Sequence, residues 1–230
     1  MTGAALCSPP RSRVEIALPA TVGALVAAAS LAFYVELAED MRISPAVYAF
    51  DQRLTAVIQA WRVPVLTALF RAVTWSASPV PVALVTIAAV AVLLWLARFR
   101  DALCIALVVA LGTGIGTIAK QVTARPRPPA TSALVGLPTS YSFPSGHTLA
   151  AILLWTMIAF AVLRVSQQEW LRWTVTVGGM VITVLVGTSR VYLGVHWPSD
   201  VLASWLLGAA WLSLVLGTFV TWERWMATRR

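Results

Sequence analysis

The sequence predicts an all-α integral membrane protein: a bundle of six transmembrane helices with an interfacial helical segment between the first and second. Three observations carry that expectation. Hydrophobic residues make up 59% of the 230 and charged ones only 11%, with mean hydropathy +0.81. A soluble domain needs a polar exterior, whereas helices in lipid read apolar outside as well as inside. Long uncharged runs recur, and crossing ~30 Å of hydrocarbon takes about 20 helical residues. Eleven tryptophans suit the headgroup level, where an amphipathic ring is favoured.

The first run, 16–35, lies between Glu15 and Glu36. Arg11 and Arg13 ahead of it and Ala27-Ala28-Ala29-Ser30 within it resemble a cleavable signal peptide, but the run continues through Leu31, Phe33 and Val35, so it reads as a retained helix. Residues 36–71 mix Arg42, Asp51, Arg53 and Arg62 with apolar residues, the pattern of an amphipathic helix along the interface, broken at Pro64. The second run is 72–97, between Arg71 and Arg98, and the third is 102–119, between Asp101 and Lys120. A fourth opens near His147 and ends before Arg164, a fifth covers 173–189, and a sixth 201–222. The fourth and fifth are short, and snorkelling flanks make up the difference. Residues 124–145 carry Pro126, Pro128, Pro129, Pro138 and Pro144, too many for a helix, and form a long polar loop. The chain 1–230 reads as a single membrane domain whose chemistry-bearing region is 120–200.

Span parity gives a functional clue. The end of the third span at Lys120, the start of the fourth near His147, the end of the fifth at Arg190 and the start of the sixth near Asp200 share one membrane face. The polar residues of the second half therefore converge. For orientation, one face holds Arg11, Arg13, Arg98, Arg100, Arg164, Arg172, Arg224, Arg229 and Arg230; the other holds Arg42, Arg53, Arg62, Arg71, Lys120, Arg125, Arg127 and Arg190. The second set includes the convergent cluster and a segment diluted by Glu36, Glu39, Asp40 and Asp51. Discounting groups that bind ligand, the excess of cytoplasmic lysine and arginine places both termini in the cytoplasm and the cluster outside. Sixteen arginines against one lysine, with abundant alanine and valine, suggest a GC-rich bacterial gene and a bacterial plasma membrane.

The net charge of +8 does not indicate nucleic acid, because charge-free runs separate the arginines and leave no basic stripe. Cys7 and Cys104 are the sole cysteines and imply neither a disulfide framework nor a metal cluster. His147 and His196, the sole histidines, both fall at the convergent face, with Asp200 and the cations Lys120, Arg125, Arg127 and Arg190. Ionisable groups near a membrane are costly without a task. A cationic field suits a polyanion and opposes a metal cation; arginine's fork holds phosphate oxygens in pairs, and lysine supplies a point charge. For Arg125 a headgroup anchor remains an equal alternative. Phe143-Pro144-Ser145-Gly146-His147-Thr148 ahead of the fourth span offers an N-cap at Ser145 and an anion cradle of backbone N–H groups at the positive helix end, with Gly146 leaving room for a ligand. Pro198 suits the first turn of the sixth helix, which puts Asp200 in that turn within reach of the His196 ring. Such a carboxylate fixes the tautomer and frees the other nitrogen to attack, while metal ligation by the same pair is disfavoured by its cationic neighbours.

Lys120 with Arg127-Pro128 after six intervening residues, then Pro144-Ser145-Gly146-His147, then Ser189-Arg190 with His196 after five more and Asp200 after three more, resembles the type 2 phosphatidic acid phosphatase (PAP2) superfamily, with no departure at any motif residue. The six-span layout is similar to its membrane branch. The resemblance implies hydrolysis without a cofactor or metal, through a phosphohistidine. In that reading His196 attacks phosphorus, Asp200 orients it, and His147 protonates the leaving oxygen and then activates water. Lys120, Arg127, Arg190, Ser145 and Gly146 would hold the phosphoryl oxygens. The expected substrate is a lipid phosphate, first polyprenyl diphosphate, the cell-wall carrier lipid, then phosphatidylglycerophosphate or phosphatidate. Transfer to a second lipid, vanadium haloperoxidase chemistry, and a headgroup-binding transporter or scaffold are the alternatives. No protein partner is legible.

Overall fold

Eight α-helices carry most of residues 13–229, the part of the chain that this computed structural model describes. Cys7, Arg11 and Arg230, which entered the expectations above, lie outside the described residues.

Helix α1 (Arg13–Ile43) continues past Val35, so Glu36, Glu39 and Asp40 extend the first span instead of opening the surface segment. The next three helices, α2 (Pro45–Gln59), α3 (Pro64–Ser76) and α4 (Pro79–Trp95), each begin on a proline, after Ser44, Val63 and Ser78. Proline's fixed φ suits a first helical turn, and the N–H it lacks would have no intrahelical partner there. Between α2 and α3 the chain bends by 118°, at the break expected at Pro64. A second break, at Ala77 and Ser78, divides the run 72–97, which is therefore the end of α3 followed by the shorter α4. Uncharged sequence runs straight through this corner, which Pro79 marks.

Helices α5 (Phe99–Thr123), α6 (Gly146–Val165), α7 (Glu169–Tyr192) and α8 (Pro198–Ala227) join α1 as the five that are long and apolar enough to span a bilayer. Helix α4, a shorter apolar helix of 17 residues, serves as the sixth; its ~26 Å falls slightly short of the hydrocarbon thickness, a gap that local thinning or snorkelling would close. This is the six-span bundle the sequence predicts, with α2 and the start of α3 as its surface segment.

Lipid tails are as apolar as leucine, so packing more than water exclusion holds such helices together. Helices α1 and α8 approach most closely at glycines: a Cβ on Gly23 would lie 3.2 Å from the Gly217 Cα and only 2.3 Å from the Ser213 carbonyl oxygen. The buried core forms where α5, α6 and α8 meet, through Ile105, Val108, Leu149, Leu153, Met157 and Leu207. At one end, basic side chains of the first half clamp the second half. Arg42 donates to the Val122 carbonyl (3.0 Å), Arg62 to the carbonyls of Tyr192 (2.7 Å) and Ser132 (2.8 Å), and Arg71 to that of Leu134 (2.7 Å). Gly194, at φ +77°, turns the chain from α7 towards α8 against the Ser132 carbonyl, where any side chain would clash. The ends of α5 and α7 and the starts of α6 and α8 thereby share one face, as parity requires.

Candidate active site

Three chain segments meet at that face: the 124–145 loop after α5, the start of α6, and the turn 193–197 into α8. The loop is pinned from both sides. Lys120 donates to the carbonyls of Pro144 (2.6 Å), Tyr141 (3.0 Å) and Ser142 (3.4 Å), and Thr123 to that of Phe143 (2.9 Å). From α8, Ser204 donates to the Ser145 carbonyl (2.9 Å), while the Ser145 N–H donates to the Asp200 carbonyl (3.2 Å). Lys120 thus shapes the loop as well as charging the cavity that it lines.

His196 is 2% exposed and ends the turn just ahead of α8. Its Nδ1 stands 3.1 Å from Asp200 Oδ2, which also accepts from the Trp197 N–H (2.9 Å) and from Ser142 Oγ. Its Nε2 faces Arg127 Nη1 at 3.2 Å. A guanidinium can only donate and a carboxylate can only accept, so these two partners assign the proton to Nδ1 and a lone pair to Nε2. Burial pushes the imidazole down to about 3, with Asp200 opposing the shift and the nearby arginines adding to it. The ring is therefore neutral at pH 7, the state a nucleophile needs. Burial likewise lowers the proton affinity of Arg127, and Asp200 opposes this.

The four cations differ in what they have left to offer. Arg127 donates to the carbonyls of Val195 (2.7 Å), Ser140 (2.8 Å) and Tyr141 (3.2 Å) as well as to His196. Arg190, 4% exposed, donates through Nη1 to Thr74 Oγ1 (2.8 Å), and its buried Nε has no partner among the described residues. An unmet donor on a buried charge is expensive unless a ligand completes it. Arg125 points elsewhere, bonding Asp200 Oδ1 (2.6 Å), Asp51 Oδ2 (2.6 Å) and Ser199 Oγ (2.7 Å). It is neither headgroup anchor nor cavity wall.

Lys120, Arg127, Gly146, His147, Arg190 and His196 all line one cavity of about 670 Å³. The His147 ring is half-buried there and makes no hydrogen bond with another described residue. Helix geometry leaves the N–H groups of Gly146 and His147 without intrahelical partners. Ser145 occupies the N-cap position but forms no side-chain capping bond; its buried hydroxyl accepts from Thr148 (3.0 Å) and does not line the cavity. Away from the charged end, the cavity runs as a groove between α4 and α5, walled by Val82, Thr86, Val90, Ala106, Val109 and Thr113. From Lys120 to Ala106 along α5 is ~21 Å, most of a bilayer's hydrocarbon depth. Ala83, Ile87 and Ala110, also in its walls, are exposed on the surface that lipid covers. Asp51, Ser142, Ser199 and Thr74 are site neighbours that the sequence did not single out. Asp51 alone carried a signal, as the one carboxylate of α2.

A curated undecaprenyl-diphosphatase of Sulfolobus acidocaldarius is 40% identical over 105 residues, 44% of this chain and 46% of that protein. A phosphatidylglycerophosphatase B of Bacillus subtilis is 41% identical over 83 residues, 34% of this chain and 39% of that protein. The matches thus span less than half the length of these relatives. The crystal structure of a transmembrane PAP2-type phosphatidylglycerolphosphate phosphatase from Bacillus subtilis superposes with a TM-score of 0.78 at 28% identity, covering 84% of this chain and 94% of that one. The PAP2 superfamily model matches residues 101–224, more than half of the chain. With the motif residues standing inside that stretch, the chain belongs to the PAP2 superfamily.

Proposed function

We propose that the chain is one membrane phosphatase unit that hydrolyses a lipid phosphate through a phosphohistidine, with polyprenyl diphosphate as the first candidate substrate. The observation that carries this reading is the union of a cationic, histidine-lined pocket with an apolar groove leading into the bilayer. Phosphate recognition alone needs the first, and a lipid substrate needs both. The name of the Sulfolobus acidocaldarius relative, an undecaprenyl-diphosphatase, supports a diphosphate carrier lipid. Phosphatidylglycerophosphate is the second reading, favoured by the solved relative that covers most of this chain.

In this reading Arg190, Arg127 and Lys120, with the first-turn N–H groups of Gly146 and His147, hold the phosphoryl oxygens, and the phosphate replaces protein partners on Arg127 and Lys120. The His196 Nε2 lone pair attacks phosphorus as the bond to the leaving oxygen breaks, and His147 gives that oxygen its proton. His147 then takes a proton from water, the resulting hydroxide attacks phosphorus, and the P–N bond breaks to return His196 and inorganic phosphate. Asp200 holds the Nδ1–H throughout and balances the positive charge on the phosphorylated ring. The site faces away from the cytoplasm and both termini face it, by the arginine distribution.

Purified protein in detergent with EDTA, given polyprenyl diphosphate, phosphatidylglycerophosphate and phosphatidate, should release phosphate, fastest from the first. His196→Ala should release none. Full activity in that variant overturns the histidine mechanism, and abolition by EDTA overturns metal independence.

A further inference from the structure

Asp51 and Arg125 lie outside the cavity, yet they are tied to its nucleophile through one continuous chain of charge-assisted bonds. Arg125, 9% exposed, is shared between two carboxylates that are each 0% exposed, Asp51 from α2 and Asp200 from α8. Ser199 closes the arrangement: its N–H donates to Asp51 Oδ1 (2.9 Å), its hydroxyl donates to Asp51 Oδ2 (2.6 Å) and accepts from Arg125 (2.7 Å). Asp200 Oδ1 takes its charged partner from Arg125, while Oδ2 gathers Ser142, the Trp197 N–H and the His196 ring. Fixing Oδ1 sets the carboxylate plane and so aims Oδ2 at Nδ1. Sharing the guanidinium with Asp51 also keeps Arg125 from neutralising Asp200, whose negative charge must support the imidazole as Nε2 takes up phosphorus.

We infer that Asp51 and Arg125 are positioning residues for phosphoryl transfer, holding Asp200 and through it His196 from the surface helix α2. This rests on His196 being the nucleophile. A buried ion pair kept for structure alone behaves differently: removing one partner strands a charge, and removing both relieves it. The test therefore compares Asp51→Asn, Arg125→Gln, the double variant and His196→Ala, each in detergent as the full chain, by melting temperature, kcat and KM. Expected kcat losses are ~10-fold for Asp51→Asn and ~100-fold for Arg125→Gln, the scale of a misaimed reacting group, with KM within about twofold because neither side chain lines the cavity. The double variant should regain melting temperature but remain as slow as Arg125→Gln. Wild-type kcat in the double variant overturns the inference, as does wild-type kcat in Asp51→Asn beside a dead His196→Ala, and either leaves the nucleophile reading intact. Turnover by His196→Ala removes that reading and this inference with it. If Arg125→Gln does not fold, Asp51→Asn decides alone.

Discussion

The two ends of the bundle each gather arginines and carboxylates, and they treat charge in opposite ways. At the end away from the cavity, Arg98 pairs with Asp101 (2.7 Å), and Arg164 meets Asp101 (3.0 Å) and grips Glu223 through two bonds (2.8 and 2.6 Å). Arg100 lies over the Trp222 ring at 4.8 Å. Two cations answer two anions, joining α5, α6 and α8. At the cavity end, among the described residues, Lys120, Arg125, Arg127 and Arg190 face only Asp51 and Asp200, and both carboxylates are occupied with Arg125. Lys120 and Arg127 lean on backbone carbonyls, while Arg190 bonds the Thr74 hydroxyl and keeps a donor unmet among the described residues. A cluster whose ion pairs balance is a fastener, whereas one with uncompensated positive charge around a neutral imidazole is prepared for an anion.

Exchanging the same substitution between the two ends is the sharpest way to break this contrast. Arg190→Gln should cut kcat/KM by ~10²–10³, the usual loss of a charge aimed at a developing oxyanion, while leaving melting temperature unchanged or higher because an unpaired charge is gone. Arg164→Gln should do the reverse, lowering stability by ~1–3 kcal/mol as Asp101 and Glu223 lose partners, with kcat unaltered per folded molecule. Melting curves and initial rates on both variants check the pair. Matching losses in both columns for both variants would collapse the distinction.

A subtler consequence concerns His196. Its folded-state affinity for protons lies far below the ordinary one, near pH 3 instead of 6.5. As pH falls through 6.5 the unfolded chain takes up a proton that the folded chain refuses, so this group makes stability decrease with falling pH across that window, with no loss above it. Nitrogen-15 spectra of imidazole-labelled protein, simplified by having two histidines, should show His196 neutral and protonated at Nδ1 at pH 5. A charged ring at that pH contradicts the assignment. The smallest perturbation addresses which face is outside: in intact cells Thr139→Cys should react with an impermeant thiol reagent and Gln167→Cys should not. Both positions are exposed, in loops at opposite ends.

Much of this is legible in the sequence. Uncharged run length locates five of the spans, because hydrocarbon thickness is a hard constraint, but merges the end of α3 with α4; parity brings Lys120, His147, Arg190 and Asp200 to one face without any side-chain detail. The placement of Pro198, His196 and Asp200 followed from helix-start chemistry within a few residues. What stayed hidden depended on contacts between distant segments. The partnership of Arg125 with Asp51, 74 residues away, has no periodicity to reveal it, and Asp51 read as a diluting charge. Nor did the cap position of Ser145 disclose that its hydroxyl turns to Thr148 and away from the cavity. The corner at Ser78 was written in Pro79, but hydropathy is blind to it.

The central claim is that His196 Nε2 bonds to phosphorus during turnover. Rapid quenching of the wild-type protein with polyprenyl diphosphate carrying radioactive phosphate at its terminal position, followed by peptide mapping, tests it directly. The account requires an alkali-stable, acid-labile label on His196 that unlabelled substrate chases out and that His196→Ala lacks. Turnover with no protein-bound label at any quench time, or a label carried by another residue, would contradict it.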